Sequence, residues 1–101
     1  MKAKMYKWSC WVTETRADVL YARYERLLVD SGFHIIDSCT KIFSPHGFTA
    51  VFLLSESHFA IHTFPERGKT YLELSSCVQA QFERFVKFHI KRHSLEATTS
   101  D

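Results

Sequence analysis

The 101-residue chain is short of the residues that punctuate a backbone, with three glycines and two prolines. No Gly-, Pro- or Ser-rich linker and no internal repeat divides it, so residues 1–101 read as a single domain. Cysteine is scarce as well. Cys10, Cys39 and Cys77 lie far apart with no CxxC pair, which excludes zinc-ribbon spacing. Their odd number, without a secretory leader, points to reduced thiols rather than a disulfide framework. No apolar run approaches the length of a membrane span, and the opening MKAKMYKW lacks the apolar stretch of a secretory signal. A cytoplasmic protein that neither crosses nor binds a membrane is the expectation.

Charge of one sign is also lacking. The formal net charge of +2 gives no ground for a nucleic-acid partner. The one basic cluster, Lys87, Lys91, Arg92 and His93, reads as the solvated last turn of a helix, where cations suit the dipole. What the chain does hold is large apolar side chains: nine Phe, four Tyr and two Trp among 46% hydrophobic residues. They suffice for one core, but a domain this small leaves much surface exposed, and dimer formation would cover part of it.

Residues 5–14 alternate, with Tyr6, Trp8, Cys10 and Val12 on one face of a strand. Thr15 reads as an N-cap with Asp18 three residues on, and Ala17, Leu20, Tyr21, Tyr24, Leu27 and Leu28 follow at helical spacing. The helix is expected over 16–31, with Gly32 as its C′ stop. Residues 33–43 are β-branched and aromatic, hence strand. SPHG at 44–47 is a turn, and 48–55 (FTAVFLLS) is apolar almost throughout, so both of its faces should be covered. Residues 58–64 form a further strand, PERGKT at 65–70 a turn, and Tyr71–Ser76 the last strand. Val78, Phe82, Phe85, Val86 and His89 share a helix face reaching about residue 92, followed by a frayed tail. The order βαββββα, or βαβββα if residues 48–64 count as one bent strand pair, predicts an α+β fold, an antiparallel sheet with two helices on one face. In the last strand Leu72 and Leu74 face the helices. Tyr71, Glu73, Ser75 and Cys77 point to the second face, which is a site, a subunit interface, or both.

Chemistry concentrates in one stretch, LSESHFAIHTFPE at 54–66. His58 and His62 are separated by three residues, a ligand spacing on a helix. On a strand they share a face but lie further apart, and hydrogen-bonded strand residues are the plainer reading than a zinc pair. Cys77 and His62 would form a nucleophile pair only if folding joined them, and a free Cys is more often an inert buried group. Phe43, Phe48 and Phe64 are core residues by default. The SES segment offers a third chemistry: a serine hydroxyl attacking the peptide carbonyl beside it.

SESHFAIHTFPE resembles the self-processing motif SESHxxIHTWPE of bacterial and archaeal S-adenosylmethionine decarboxylases. Ser55, Glu56, Ser57, His58, Ile61, His62, Thr63, Pro65 and Glu66 agree. Phe43, Pro45 and Gly47 match the family's F-x-P-x-G approach, and Cys77 falls at the family's distance downstream. The resemblance implies a pyruvoyl enzyme made by autocleavage between Glu56 and Ser57. Ser57 would become the pyruvoyl cofactor that forms a Schiff base with a substrate amine, without metal or PLP. His62 would remove a proton during processing, Ser55 would assist through a hydrogen bond, and Cys77 would be the catalytic proton donor. Phe43 would stack on adenine, and Glu66 would accept ribose hydroxyls. It also implies a homodimer of αββα layers with sheets facing and helices outside, Glu73 and Cys77 lining the space between. The product would be the aminopropyl donor for spermidine and other polyamines.

Strict alternation puts Ser57 and His62 on opposite strand faces, so their cooperation calls for a bend or bulge near 55–58. The chain departs from the family pattern at Phe64 for Trp, at Phe48-Thr49-Ala50 for V-S-G, at Val78 for Gly, and at ELSSC for a DVFTC-like strand. These changes leave open a basic amino acid such as ornithine or arginine as the substrate, or a non-catalytic homologue serving as a binding or regulatory subunit.

Overall fold

The structure is a computed structural model that describes residues 4–99, with side chains described as far as His93. Strand β1 spans Tyr6–Val12, helix α1 Ala17–Asp30, β2 Ile35–Ile42, β3 Phe48–Leu54, β4 Ser57–Phe64, β5 Lys69–Ser76 and α2 Gln79–Thr99. One turn of 3-10 helix, Pro65–Arg67, joins β4 to β5. The order βαββββα is the expected one. The five strands form one antiparallel sheet in the order β1-β5-β4-β3-β2. β1 and β2 are therefore opposite edges, and α1, which links them, has to cross the sheet.

Helix α1 stops as its sequence predicts. Gly32 takes φ +99°, a conformation that side-chain-bearing residues avoid. The Phe33 N–H donates to the Leu28 carbonyl and the Gly32 N–H to the Val29 carbonyl. This paired reversal buries Phe33 against the core. The start differs from expectation. Arg16, not Thr15, is the N-cap, and no side chain of its own caps it. The Glu14 carboxylate accepts the Thr15 and Arg16 N–H groups and grips the Arg16 guanidinium. Glu14 thus fixes the backbone just before the helix and holds the Arg16 side chain, while no side chain caps the first-turn N–H groups. Helix α2 runs to Thr99 rather than about 92, so the expected frayed tail is helical through 99, and its last two positions, 100–101, fall outside the described residues. The basic cluster at 87–93 accordingly lies mid-helix and not in a last turn.

Both helices cover one face of the sheet. Tyr24 of α1 stacks on Phe59 of β4 at 5.3 Å, and Phe85 of α2 meets Trp8 of β1 edge-on at 5.2 Å and Phe59 at 5.4 Å. Leu20, Leu27, Leu28, Phe52, Leu54, Ile61, Leu72 and Leu74 complete this core. Each such buried side chain contributes roughly 1.5–3 kcal/mol of hydrophobic stabilisation.

The other face is open within the chain, contrary to the double cover expected for β3: Val51 and Leu53 are 39% and 51% exposed. Registers arrange it in three rows across the five strands. Lys7, Ser75, His58, Leu53 and Asp37 form the first; Ser9, Glu73, Ala60, Val51 and Cys39 the second; Trp11, Tyr71, His62, Thr49 and Lys41 the third.

Candidate active site

β3 and β4 form a hairpin whose two connecting residues are Ser55 and Glu56, so the Glu56–Ser57 bond leaves a tight turn and enters a strand. β5 ends beside this turn. The Cys77 backbone N–H donates to the Glu56 carbonyl oxygen at 3.4 Å, and the Cys77 thiol donates to the same oxygen at 3.2 Å. Two donors thus polarise the carbonyl of the bond in question. The Ser57 hydroxyl faces the helix side, is buried, and donates to Ser76 Oγ at 2.6 Å. Ser76 Oγ in turn accepts the Val78 N–H at 3.0 Å. Adjacent residues, Ser76 at the end of β5 and Cys77 just past it, therefore hold the hydroxyl and the carbonyl that an acyl shift would join.

The Cys77 thiol is pushed above its usual range, first by desolvation and then by its hydrogen bond to Glu56 and the charge of that carboxylate, 3.6 Å from the sulfur. A thiol so placed keeps its proton at neutral pH.

His62 is elsewhere. The ladder from Ser57↔Leu54 to Thr49↔His62 runs without a register shift, so the expected bulge near 55–58 is absent. Five residues of straight strand separate Ser57 from His62 by roughly 16 Å, and the two side chains point to opposite faces. His62 shares a hydrogen bond with Thr49 Oγ1 through Nδ1 at 3.2 Å and stacks over Tyr71. Among the described residues none hydrogen-bonds the Ser55 side chain, which is exposed in the turn. The hydroxyl that orients His62 is that of Thr49.

Phe43 and Glu66 also lie at the His62 end. Phe43 is 47% exposed in the loop before β3, a loop closed by its N–H donating to the Gly47 carbonyl. Glu66, in the 3-10 turn after β4, pairs with His46 of that same loop at 2.8 Å. The sequence-predicted residues thus fall into two groups at opposite ends of one sheet: Glu56, Ser57 and Cys77 at one, His62, Phe43 and Glu66 at the other. His58 lies between, on the open face. With Lys7, Ser9, Tyr71, Glu73 and Ser75 it lines an open cavity of about 400 Å³. His58 and His62 share their face as strand alternation requires, and among the described residues no group of three metal-ligating side chains forms.

The sequence profile described as S-adenosylmethionine decarboxylase matches residues 13–100. The chain belongs to the S-adenosylmethionine decarboxylase family. A relative from Bacillus cereus, S-adenosylmethionine decarboxylase proenzyme 2, is 47% identical over 47 residues, 46% of this chain and 38% of its own length. The S-adenosylmethionine decarboxylase proenzyme of Methanococcus maripaludis is 39% identical over 71 residues, 66% of this chain and 58% of its own. The matches thus span from little more than a third to somewhat over half of these relatives. The crystal structure of the adenosylmethionine decarboxylase from Aquifex aeolicus VF5 superposes with a TM-score of 0.65 at 26% identity, over 86% of this chain and 77% of that one.

Within this S-adenosylmethionine decarboxylase family member, two site residues were missed from sequence: Ser76 and Thr49. Neither lies in the SES segment. Both follow from strand register, which pairs Ser57 with Ser76 and His62 with Thr49. The readable trace was the departure of Thr49 from V-S-G, a change that keeps a hydroxyl.

Proposed function

We propose that this chain is a self-processing, pyruvoyl-dependent decarboxylase of S-adenosylmethionine that supplies the aminopropyl donor for polyamine synthesis. The observation that carries the proposal is the double hydrogen bond from Cys77 to the Glu56 carbonyl, with the Ser57 hydroxyl held beside it. Ser57 Oγ bonds to the Glu56 carbonyl carbon, the C–N bond breaks, and the hydroxyl proton passes to the departing Ser57 nitrogen, turning amide into ester. The Cys77 N–H and thiol stabilise the charge that builds on the carbonyl oxygen. Loss of the Ser57 Cα proton then expels the Glu56 carboxylate and leaves dehydroalanine. Its enamine nitrogen tautomerises to an imine, and water releases it as ammonia. The residues at the turn fit this chemistry, and the group formed supplies an electron sink for the carbanion left by departing CO₂. Cys77, protonated at neutral pH, returns a proton to that carbon.

Removal of the Cα proton falls to His62, held by Thr49, and His62 of the same chain is too far away. A second copy resolves this. Open faces packed together, with a two-fold axis between the sheets and perpendicular to the strands, reverse strand direction. One copy's Ser57 end then lies over the other's His62, Phe43 and Glu66. The exposed Trp11, Val51, Leu53 and Phe64 of the sheet favour such packing. In this arrangement Phe43 stacks on the adenine and Glu66 exchanges His46 for the ribose hydroxyls.

Carboxyl-labelled S-adenosylmethionine, ornithine and arginine, offered separately to the processed protein, test the substrate. CO₂ from S-adenosylmethionine alone is expected. Release from ornithine or arginine with none from S-adenosylmethionine moves the activity to a basic amino acid. A split chain that releases CO₂ from none of them points to a binding or regulatory subunit.

A further inference from the structure

β2 is an edge of the sheet: β3 occupies one side of it, and among the described residues its other side carries no strand. An unpaired edge presents a row of backbone donors and acceptors, and proteins usually blunt it with charge or cover it. Here the edge runs eight residues, Ile35–Ile42, and is exposed at Ile36, Asp37, Cys39, Thr40, Lys41 and Ile42. Ile36 and Ile42, at 56% and 75% exposure, are the two most exposed large apolar residues of the strand, one near each end. Asp37 and Lys41 stand two residues either side of Cys39.

That pattern is its own complement. Two antiparallel copies of β2 centred on Cys39 set Asp37 opposite Lys41 twice, Ser38 opposite Thr40 twice, and Cys39 opposite Cys39, with Ile36 reaching alongside Ile42 of the other copy. Paired strands share faces, so the opposed charges meet side by side on the open face, where Asp37, Cys39 and Lys41 all lie. Other registers do worse. Centring on residue 37 opposes two aspartates, centring on residue 41 opposes two lysines, and a parallel in-register pairing opposes like with like at both positions. One register satisfies both charges, with Ile36 at a register irregularity of β2 beside them, and register is what an edge needs specified.

We infer that β2 is a self-association edge, joining a second copy of this chain into a continuous ten-stranded sheet through the register centred on Cys39. The occupant is fixed by charge and apolar complementarity of the strand with itself. The backbone hydrogen bonds of this contact lie along the sheet's edge and not across its open face, so both contacts can exist in one assembly, and the edge contact does not rest on the catalytic proposal.

Charge reversal tests it, read by sedimentation velocity in low and high salt. Asp37→Lys and Lys41→Asp, both on exposed positions that leave the core intact, are each expected to weaken the edge contact about tenfold or more by opposing like charges. The double variant Asp37→Lys/Lys41→Asp is expected to restore it. Mild oxidation should link two chains through Cys39, and Cys39→Ser should abolish that dimer on a non-reducing gel. The inference fails if the single variants associate as the wild type does, if the double variant stays as weak as either single one, or if the wild type forms no contact sensitive to these charges. A two-fold face contact that survives every variant would leave the catalytic proposal standing.

Discussion

Cys77 touches the Glu56 carbonyl through two atoms, only one of which belongs to its side chain. Cys77→Ala keeps the backbone donor, so splitting should continue, slowed by roughly tenfold to a hundredfold, while CO₂ release is lost with the acid. Ser57→Ala removes the attacking hydroxyl and should remain one uncleaved chain. Ser76→Ala leaves the nucleophile free to rotate and should slow splitting about tenfold, and Ser76→Thr, which keeps the hydroxyl, should restore most of the rate. Timed mass spectra of freshly purified protein check the splitting of all four variants. The candidate residues Glu56, Ser57 and Cys77 were legible because they form contiguous or fixed-distance motifs. Ser76 was not, since a serine at a strand end is unremarkable until the register sets it across from Ser57.

Alternation located β1 and helical spacing both helices, because each buries one face with its own period, whereas β2 was read from its β-branched and aromatic residues and β3 from its apolar run. What they did not reach was local detail: the start of α1, where Glu14 holds the Thr15 and Arg16 N–H groups and Thr15 caps nothing, and the extent of α2. The stop of α1 was legible through Gly32, and it is testable. Ala at 32 would have to hold φ +99° with its Cβ 2.9 Å from the Arg84 guanidinium. Gly32→Ala should cost about 1–2 kcal/mol, read as a fall of several degrees in unfolding temperature. The two helices are also clasped by Tyr24 and the buried His89, whose Nε2 lies 2.7 Å from the tyrosine hydroxyl. Burial first, then the charges of His93, Arg23 and Arg92, lowers the His89 pKa from 6.5 to about 4. The unfolded chain therefore binds this proton more readily. The histidine's contribution is full above pH 6.5 and is lost as pH falls toward 4. Unfolding temperature should drop across that window, and His89→Gln should flatten the drop.

At the scale of the whole molecule, the sequence motif is contiguous but the site is not. A strand of eight residues carries Ser57 at one end and delivers His62 and Glu66 toward the other. The expectation that Ser57 and His62 would meet through a bulge took closeness in sequence for closeness in space. The unbroken register removes that route, and the proposed function takes His62 from a second copy instead. Co-expression of Ser57→Ala with His62→Ala tests the shared site. Each variant alone should stay whole, whereas mixed pairs restore one complete site, so the His62→Ala chain should split only when its partner is present. Splitting of His62→Ala by itself would contradict a requirement for that histidine.

The most direct measurement is the intact mass of the purified wild-type protein. Two fragments are predicted, one ending at Glu56 and one beginning at position 57. The second should be lighter than a serine-initiated fragment by one ammonia and should resist N-terminal sequencing. A single unsplit chain after prolonged incubation, or a downstream fragment that begins with an ordinary serine, would contradict the account.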